Sequence, residues 1–202
     1  MKIRSMSEIK MAVRLIANFP IALKIHPPHS LLMKRFVRSA LAAVLVTAAS
    51  AAPGNFYRVD SKVWRSAQPD AADFSELQKL GIREVLNLRE WHDDSSAATN
   101  TAVNLHRVSM NAGHIHEQEI VEAVKILRDA RGPILVHCLH GSDRTGTVVA
   151  LYRMTVDGWS RDQAIAEFTM PRYGYHAGIY PKLCRYLETV DIARFKAAMN
   201  GR

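Results

Sequence analysis

The sequence lacks an apolar run long enough to span a membrane, and beyond residue 51 it lacks the basic excess that favours a nucleic-acid partner. Its N-terminal apolar stretch, residues 40–49, has about ten residues, whereas a spanning helix needs about 20. Of the 27 Lys and Arg residues, eight lie with a single Glu in residues 1–51. The rest holds 19 basic and 18 acidic residues, so no basic excess remains there to favour a nucleic-acid partner. Internal repeats and low-complexity tracts are absent as well.

The basic N-terminal region has the order of a secretory signal peptide. Residues 33–38 carry three basic side chains, and the apolar stretch follows them. Ala49-Ser50-Ala51 then forms an A-x-A-like cleavage site. We therefore expect residues 1–51 to be an N-terminal extension and signal peptide, with translation starting at Met33 and export to the periplasm or secretion. The alternatives are an amphipathic targeting extension or an anchor that stays attached, which would link the chain to a membrane only through this leader.

Residues 52–202 are long enough for one domain with its own core. Hydrophobic periodicity predicts a hairpin around residues 60–62 and further strands at 84–88, 105–109 and 134–136. Helices are predicted at 71–80, 117–131, 145–156, 160–168 and 180–199. This alternation indicates an α/β fold, a three-layer domain with a mostly parallel central sheet flanked by helices.

The most informative segment is His-Cys-Leu-His-Gly-Ser-Asp-Arg-Thr-Gly, residues 137–146. It joins a short apolar strand to an apolar helix, so its backbone N–H groups can curl around an anion at a helix N-terminus. Glycine allows the tight turn, and arginine offers a planar fork that matches two phosphate oxygens. We therefore predict that a phosphate group is bound by Leu139, His140, Gly141, Ser142, Asp143 and Arg144.

Cys138 precedes these residues, where the same positive field favours the thiolate form of a cysteine. A thiolate placed there can attack phosphorus in line and form a cysteinyl-phosphate. His137 is predicted to orient the loop by hydrogen bonds, and Thr145 to donate its hydroxyl to the sulfur. The pattern thus predicts phosphoryl transfer with Cys138 and Arg144 as catalytic residues.

These ten residues resemble the signature of the cysteine-dependent protein tyrosine and dual-specificity phosphatase superfamily. Further similarity to its compact bacterial, exported members lies in residues 56–59, 64–69, 85–89 and 173–176, and spans 55–191. The resemblance implies a dual-specificity phosphatase-like fold and hydrolysis of phosphomonoesters, with phosphotyrosine as the leading substrate. It also implies that no metal or other cofactor is used, and that the substrate is a phosphorylated protein or a small phosphomonoester.

The general acid is left open by this resemblance. Most members take the leaving-group proton from an Asp on a loop about thirty residues before the cysteine, but the corresponding residues 110–116 contain no Asp. Asp143 is the favoured candidate, because its position is fixed next to the bound phosphate. Lipid-directed relatives such as the myotubularins have a similar Asp beside the arginine of this loop. The alternative role of Asp143 is a structural carboxylate that pairs with an arginine or caps the helix. The alternative acids are Glu117, His114, Asp93 and Asp94.

The sequence leaves three alternative functions open. These are an inactive phosphate-binding module, a sulfurtransferase, and a phosphatase acting on a phosphoinositide or inositol phosphate. Related phosphatases that act on inositol polyphosphates often carry a lysine in the loop, where Leu139, His140 and Ser142 stand here.

The remaining cysteine and histidines carry weaker signals. Cys184 is predicted to pack as a small apolar residue in a helix, with a reversible redox lock on Cys138 as the alternative. The spacing of the histidines fits no usual zinc pattern, so no metal site is predicted from His92, His114, His116 and His140.

Overall fold

The computed structural model describes residues 52–201. The predicted signal peptide and its start at Met33 lie outside the described residues. Between residues 52 and 201, the structure contains no helix with both the length and the apolar character needed to span a bilayer.

A five-stranded sheet lies at the centre, in the order β1-β2-β5-β3-β4. Its strands are β1 Tyr57–Arg58, β2 Val63–Ser66, β3 Glu84–Arg89, β4 Asn104–Met110 and β5 Ile134–His137. The predicted hairpin forms, because β1 pairs antiparallel with β2, whereas β2, β5, β3 and β4 pair in parallel. Strand β5 is buried along its whole length, as its apolar residues 134–136 predict.

Helices connect and follow these strands. In the described residues they are α1 Ala71–Lys79, α2 Glu117–Asp129, α3 Asp143–Thr155, α4 Arg161–Phe168, α5 Pro181–Thr189 and α6 Ile192–Asn200, with a 3₁₀ turn at Pro171–Tyr173. Helices α1 and α4 begin at side chains typical of N-caps: Asp70 accepts a hydrogen bond from the Asp73 N–H (2.8 Å) and Ser160 from the Gln163 N–H (3.2 Å).

Two apolar cores cover the two faces of the sheet. On one face, Phe74 of α1 packs with Val85 and Leu135. The larger core on the other face joins Leu86 and Val136 to α2, α3 and the C-terminal helices. Neighbouring residues of β3 and β5 thus enter opposite cores, because successive side chains of a strand point in opposite directions. The predicted three-layer α/β domain with a mostly parallel sheet is confirmed.

The predicted single helix over residues 180–199 is wrong, because the chain forms α5 and α6 there. Val190 ends α5 with an extended ψ of 133°. The carboxylate of Asp191 then accepts a hydrogen bond from the Arg194 N–H (3.0 Å). An Asp in this position starts a new helix, so apolar periodicity on both sides of it does not mean one continuous helix.

Candidate active site

The loop at residues 138–144 connects the C-terminal end of β5 to the first turn of α3, which begins at Asp143. Three of its carbonyl groups accept hydrogen bonds from residues 55–68, on distant segments of the chain. Leu139 O accepts from the Gln68 N–H (3.1 Å) and His140 O from the Asn55 side chain (2.9 Å). Gly141 O accepts from the Arg65 guanidinium (2.7 Å).

These bonds turn the carbonyls outward. The N–H groups of residues 139–144, by contrast, meet no acceptor among the described residues. Unpaired amides that lead into a helix N-terminus form a concave site of positive potential, which suits an anion. This is the arrangement that the predicted phosphate binding by residues 139–144 requires.

Two glycines of the segment have no room for a side chain. Gly141 has a φ of +72°, and a Cβ added to it would lie 2.5 Å from the Ser66 carbonyl group. Gly146 lies in α3, where a Cβ would come within 2.8 Å of the Phe168 ring. The glycines therefore bring the loop against β2 and the helix against α4.

Cys138 and Arg144 have the burial and contacts expected of a buried nucleophile and a phosphate ligand. Cys138 is only 1% exposed. Nη1 of Arg144 donates to Leu88 O (3.4 Å) and Met110 O (3.1 Å), at the ends of β3 and β4. Its Nε is buried and has no partner among the described residues, so part of the guanidinium remains available to a ligand. Thr145 is also buried, with a hydroxyl that no described residue binds.

Arg65 is a second arginine behind the loop, and sequence reasoning assigned it no role. It is 1% exposed, and its guanidinium lies 4.0 Å from the centre of the Tyr173 ring. Burial lowers the pKa of Arg65 below its ordinary value, but guanidinium groups stay charged in proteins. A positive charge held behind the loop adds to the field that favours an anion in front of it.

His137 is fully buried and pairs with Asp94. Its Nε2 lies 2.8 Å from Asp94 Oδ2, and its Nδ1 lies 3.3 Å from Cys138 O. Gln68 donates to the other oxygen of Asp94 (2.8 Å). Burial opposes ionisation of Asp94, but the hydrogen bond and charge of His137 outweigh it and hold the pKa of this carboxyl below its ordinary value. The contacts suit the predicted loop-orienting role of His137 and give Asp94 a part in it.

Asp143 is buried, and both of its oxygens are engaged by one residue. Oδ1 accepts from the His176 backbone N–H (3.0 Å), and Oδ2 lies 2.8 Å from His176 Nδ1. These contacts match the structural alternative for Asp143, with a histidine as partner in place of an arginine. His140 lies nearby, and one ligand-type atom from each of these three side chains falls within 4.8 Å of the others. The histidine spacing did not indicate this group.

The other acid candidates lie away from the loop or face other partners. Glu117 accepts from Arg194 (2.8 Å) at the start of α2, and Asp93 is exposed and accepts from the Ser95 N–H (2.9 Å). His114 is exposed and does not line the cleft beside Arg144.

That cleft has a volume of about 220 Å³. It is lined by Arg89, Glu90, Trp91, Asn111, Ala112, Leu139, Arg144 and Tyr180. Trp91 and Leu139 are exposed by 88% and 43%, so the cleft combines apolar and aromatic surface with the polar side chains of Arg89, Glu90, Asn111 and Arg144. A larger groove of about 790 Å³ lies along β4 and α2, but it contains no residue of the 138–144 loop. The smaller cleft is therefore the candidate active site.

The sequence profile of the Tyrosine phosphatase family matches residues 51–199. The chain belongs to this family. It is 31% identical to the dual specificity protein phosphatase TpbA of Pseudomonas aeruginosa UCBPP-PA14, over 73% of this chain and 68% of TpbA. The crystal structure of P. aeruginosa TpbA in complex with pTyr superposes with a TM-score of 0.67 at 27% identity, covering 73% of this chain and 91% of that one. Inositol diphosphatase DSP2 of Oryza sativa subsp. japonica is 32% identical over 55% of this chain and 57% of its own.

Membership of the tyrosine phosphatase family confirms the predicted superfamily, fold and enzyme class. The protein is a phosphatase of the protein tyrosine and dual-specificity type, which hydrolyses phosphomonoesters. The roles of individual residues in the 138–144 loop stay predictions that rest on the geometry described above.

Sequence reasoning missed three features of the site: the support from Arg65, the partnership of Asp94 with His137, and the contact between Asp143 and His176. The residues in these contacts are separated by 76, 43 and 33 positions. Arg65 lies in one of the segments that carry the family resemblance, which was the one available signal.

Proposed function

We propose that this phosphatase works through a cysteinyl-phosphate on Cys138. The thiolate sulfur attacks phosphorus and forms an S–P bond while the P–O bond to the leaving group breaks. Water then attacks the phosphorus, the S–P bond breaks, and inorganic phosphate and the thiolate are released. Arg144 binds two of the phosphate oxygens with its planar fork, and the N–H groups of residues 139–144 bind the charge that spreads over the others.

The observation that carries this proposal is the direction of the loop backbone. Carbonyls of Leu139, His140 and Gly141 are held outward by donors on other segments. The N–H groups of residues 139–144 have no acceptor among the described residues, they follow a buried cysteine in the chain, and Arg144 has an unpaired Nε. A cysteine that only packs in the core would require neither the unpaired N–H groups nor the unpaired arginine nitrogen.

The test measures hydrolysis of p-nitrophenyl phosphate by the wild type and by Cys138→Ser and Cys184→Ser. Cys184 is a free, partly buried thiol on α5, where burial raises its pKa, so it is the matched control. We expect no turnover from Cys138→Ser and full turnover from Cys184→Ser under reducing conditions. Activity in Cys138→Ser would overturn the proposal. An inactive wild type that still binds phosphate would indicate a binding module, and thiosulfate turnover alone would indicate a sulfurtransferase.

The rim of the cleft supports phosphotyrosine as the substrate. Trp91, Leu139 and Tyr180 offer apolar surface beside Arg144, which suits an aromatic ring that carries a phosphate. We expect Trp91→Ala to lower kcat/KM on a phosphotyrosine peptide by about 2- to 10-fold, the worth of one aromatic contact. The variant should leave the turnover of acetyl phosphate, which has no ring, unchanged.

The 32% sequence identity to a rice inositol diphosphatase favours a second candidate substrate, an inositol diphosphate. Against it, the 138–144 loop contains no lysine to meet the additional phosphates. The two candidates are separated by comparing kcat/KM on phosphotyrosine, phosphoserine and phosphothreonine peptides with kcat/KM on a diphosphoinositol polyphosphate. A preference for the inositol compound would replace the tyrosine assignment and leave the cysteine mechanism intact.

We also propose that the protein is exported, with its signal peptide removed after Ala51. The support is the sequence pattern of residues 33–51. The test is expression of the full chain in a bacterium, followed by fractionation and mass determination of the N-terminus. A mature protein beginning at Ala52 outside the cytoplasm is expected. An uncut chain in the cytoplasm or in the membrane fraction would contradict the proposal.

A further inference from the structure

The active-site cleft contains one carboxyl group among its described lining residues, and it belongs to Glu90. A phosphatase of this type must protonate the oxygen of its leaving group, which is worth about 10²- to 10⁴-fold in rate. We propose that Glu90 is the general acid of this enzyme. The proposal rests on the cysteine mechanism given under Proposed function and adds the residue that this mechanism lacks.

Glu90 follows β3 directly and is fixed through both its backbone and its side chain. Its carbonyl oxygen accepts hydrogen bonds from Arg107 and from the Ser109 hydroxyl (3.4 Å) on β4. Its Oε2 accepts from the side-chain amide of Asn111 (2.9 Å), which also lines the cleft. No described residue hydrogen-bonds to Oε1, so this oxygen is free to carry the transferable proton.

Asn111 is itself held for this contact. Its Oδ1 accepts a hydrogen bond from the Gly113 N–H (2.9 Å), which leaves the amide nitrogen to face Glu90. An amide donor at Oε2 positions the carboxyl group in either protonation state. The cleft therefore contains a hydrogen-bonded carboxyl–amide pair, Glu90 and Asn111, among the residues that line it together with Arg144.

The carboxylates considered from the sequence are all engaged elsewhere. Both carboxylate oxygens of Asp143 are hydrogen-bonded to His176. The two oxygens of Asp94 are hydrogen-bonded to His137 and Gln68. Both aspartates are buried, at 5% and 3% exposure, whereas Glu90 is partly exposed in the cleft. Glu117 lies in the separate groove along α2. Geometry thus favours the one carboxyl that shares a cleft with Arg144.

The proposed step balances as follows. Cys138 sulfur forms its bond to phosphorus, the P–O bond to the substrate breaks, and the electron pair of that bond goes to the departing oxygen. The proton of the Glu90 carboxyl moves to this oxygen, so tyrosine leaves as a neutral phenol and Glu90 becomes a carboxylate. In the second step Glu90 accepts a proton from the attacking water, which returns the acid to its starting form.

The decisive experiment compares Glu90→Gln with the wild type on aryl phosphates whose leaving groups differ in basicity. We expect kcat/KM on phosphotyrosine to fall by about 10²- to 10⁴-fold. On p-nitrophenyl phosphate it should fall by no more than about tenfold, because nitrophenolate leaves without a proton.

Three further variants make the result decisive. Glu90→Asp retains a carboxyl group and should recover part of the activity on phosphotyrosine. If the role of Glu90 were only structural, this activity would not depend on a carboxyl group at this position. Glu122→Gln changes an exposed glutamate on α2 and should behave as wild type on every substrate. Asp143→Asn should slow both substrates to the same extent, since Asp143 ties the start of α3 to His176.

The outcomes separate the two proposals. Equal slowing of all substrates by Glu90→Gln, with no recovery of phosphotyrosine activity in Glu90→Asp, would overturn the role of Glu90. A leaving-group dependence in Asp143→Asn and none in Glu90→Gln would give that role to Asp143. Activity in Cys138→Ser would instead overturn the cysteine mechanism on which the proposal rests.

Discussion

Gly141 combines a left-handed backbone, with φ of +72°, and direct contact with the backbone of Ser66. Gly141→Ala should therefore add about 1–2 kcal/mol of backbone strain and about 1–3 kcal/mol of overpacking. It should also abolish turnover of p-nitrophenyl phosphate, because the carbonyls that shape the loop must move. Gly158 is the matched control, with a φ of +74° and nothing within 4 Å of an added Cβ. Equal destabilisation of the two alanine variants in urea unfolding would contradict the role of the Ser66 contact.

Asp94 makes the free energy of unfolding depend on pH. Its pKa is lower in the folded state than its ordinary value of 3.8, so its contribution is fully present above that value. The contribution is lost as the pH falls through the folded pKa. Asp94→Asn should cost about 1–3 kcal/mol near neutral pH and flatten the decline in stability at acid pH.

Asp93→Asn is the neighbouring control for that measurement. Asp93 is exposed, and its carboxylate accepts a hydrogen bond only from the Ser95 N–H among the described residues. The hydrogen bond from the Ser95 N–H also lowers the pKa of Asp93, but solvent screens this exposed group, so urea unfolding at several pH values should show a smaller change in the acid decline for Asp93→Asn than for Asp94→Asn. If Asp94→Asn kept the wild-type decline, the pairing of Asp94 with His137 would not be the source of the acid sensitivity.

Helices α3 and α4 are joined by a buried ion-pair cluster around Arg153. Its Nε and Nη2 donate to the two oxygens of Glu167 (3.0 and 2.9 Å), and Nη1 donates to Asp157 (2.9 Å). Burial works against the charge, but these acceptors outweigh it and raise the pKa of Arg153. Arg153→Met should cost about 3–5 kcal/mol, because Glu167 would remain buried without a partner.

Two variants test that explanation by urea unfolding. Adding Glu167→Gln to Arg153→Met should recover part of the lost stability, because the unpaired charge is removed. Lys79→Met breaks the exposed pair of Lys79 and Glu76 (2.7 Å) and should change stability by less than about 1 kcal/mol. A double variant no more stable than Arg153→Met would show that the loss comes from packing and not from charge.

The bounds of helices and strands can be predicted from the sequence where the residues that determine them are close together in the chain. Strand β3 is predicted at residues 84–88 and found at Glu84–Arg89, and the helix capped by Ser160 ends at Phe168 as predicted. Each of these is set by periodicity and by a cap within a few residues. The break between α5 and α6 is also local, but its signal is a single Asp191 within an apolar pattern that continues on both sides.

The contacts that build the site are not local, and the sequence predicts them poorly. The loop itself is predictable because its chemistry lies in ten consecutive residues. The partners of His137 and Asp143 lie 43 and 33 positions away, and no periodicity connects them. Glu90 was passed over for a similar reason, since only the pairing of β3 with β4 brings it beside Asn111.

On the scale of the whole molecule, the carboxyl ends of the parallel strands determine where the site forms. Strands β3, β4 and β5 end at Arg89, Met110 and His137, and the cleft residues follow directly after them. In parallel α/β sheets, ligands bind at this edge, where the strands give way to loops and helix N-termini. The order of the strands therefore brings the carboxyl group of Glu90, which is far from the 138–144 loop in the sequence, into the cleft that Arg144 lines.

Residues 52–202 alone should consequently match the whole chain in activity and stability. The hydrogen bonds that shape the 138–144 loop join segments between Asn55 and His176, and this part carries only +1 of the net charge of +8. We expect equal kcat/KM on p-nitrophenyl phosphate and free energies of unfolding within about 0.5 kcal/mol of each other. The whole chain should differ in binding more strongly to anionic vesicles at low salt, because residues 1–51 hold the excess positive charge. A slower fragment would mean that residues 1–51 contribute to the active site.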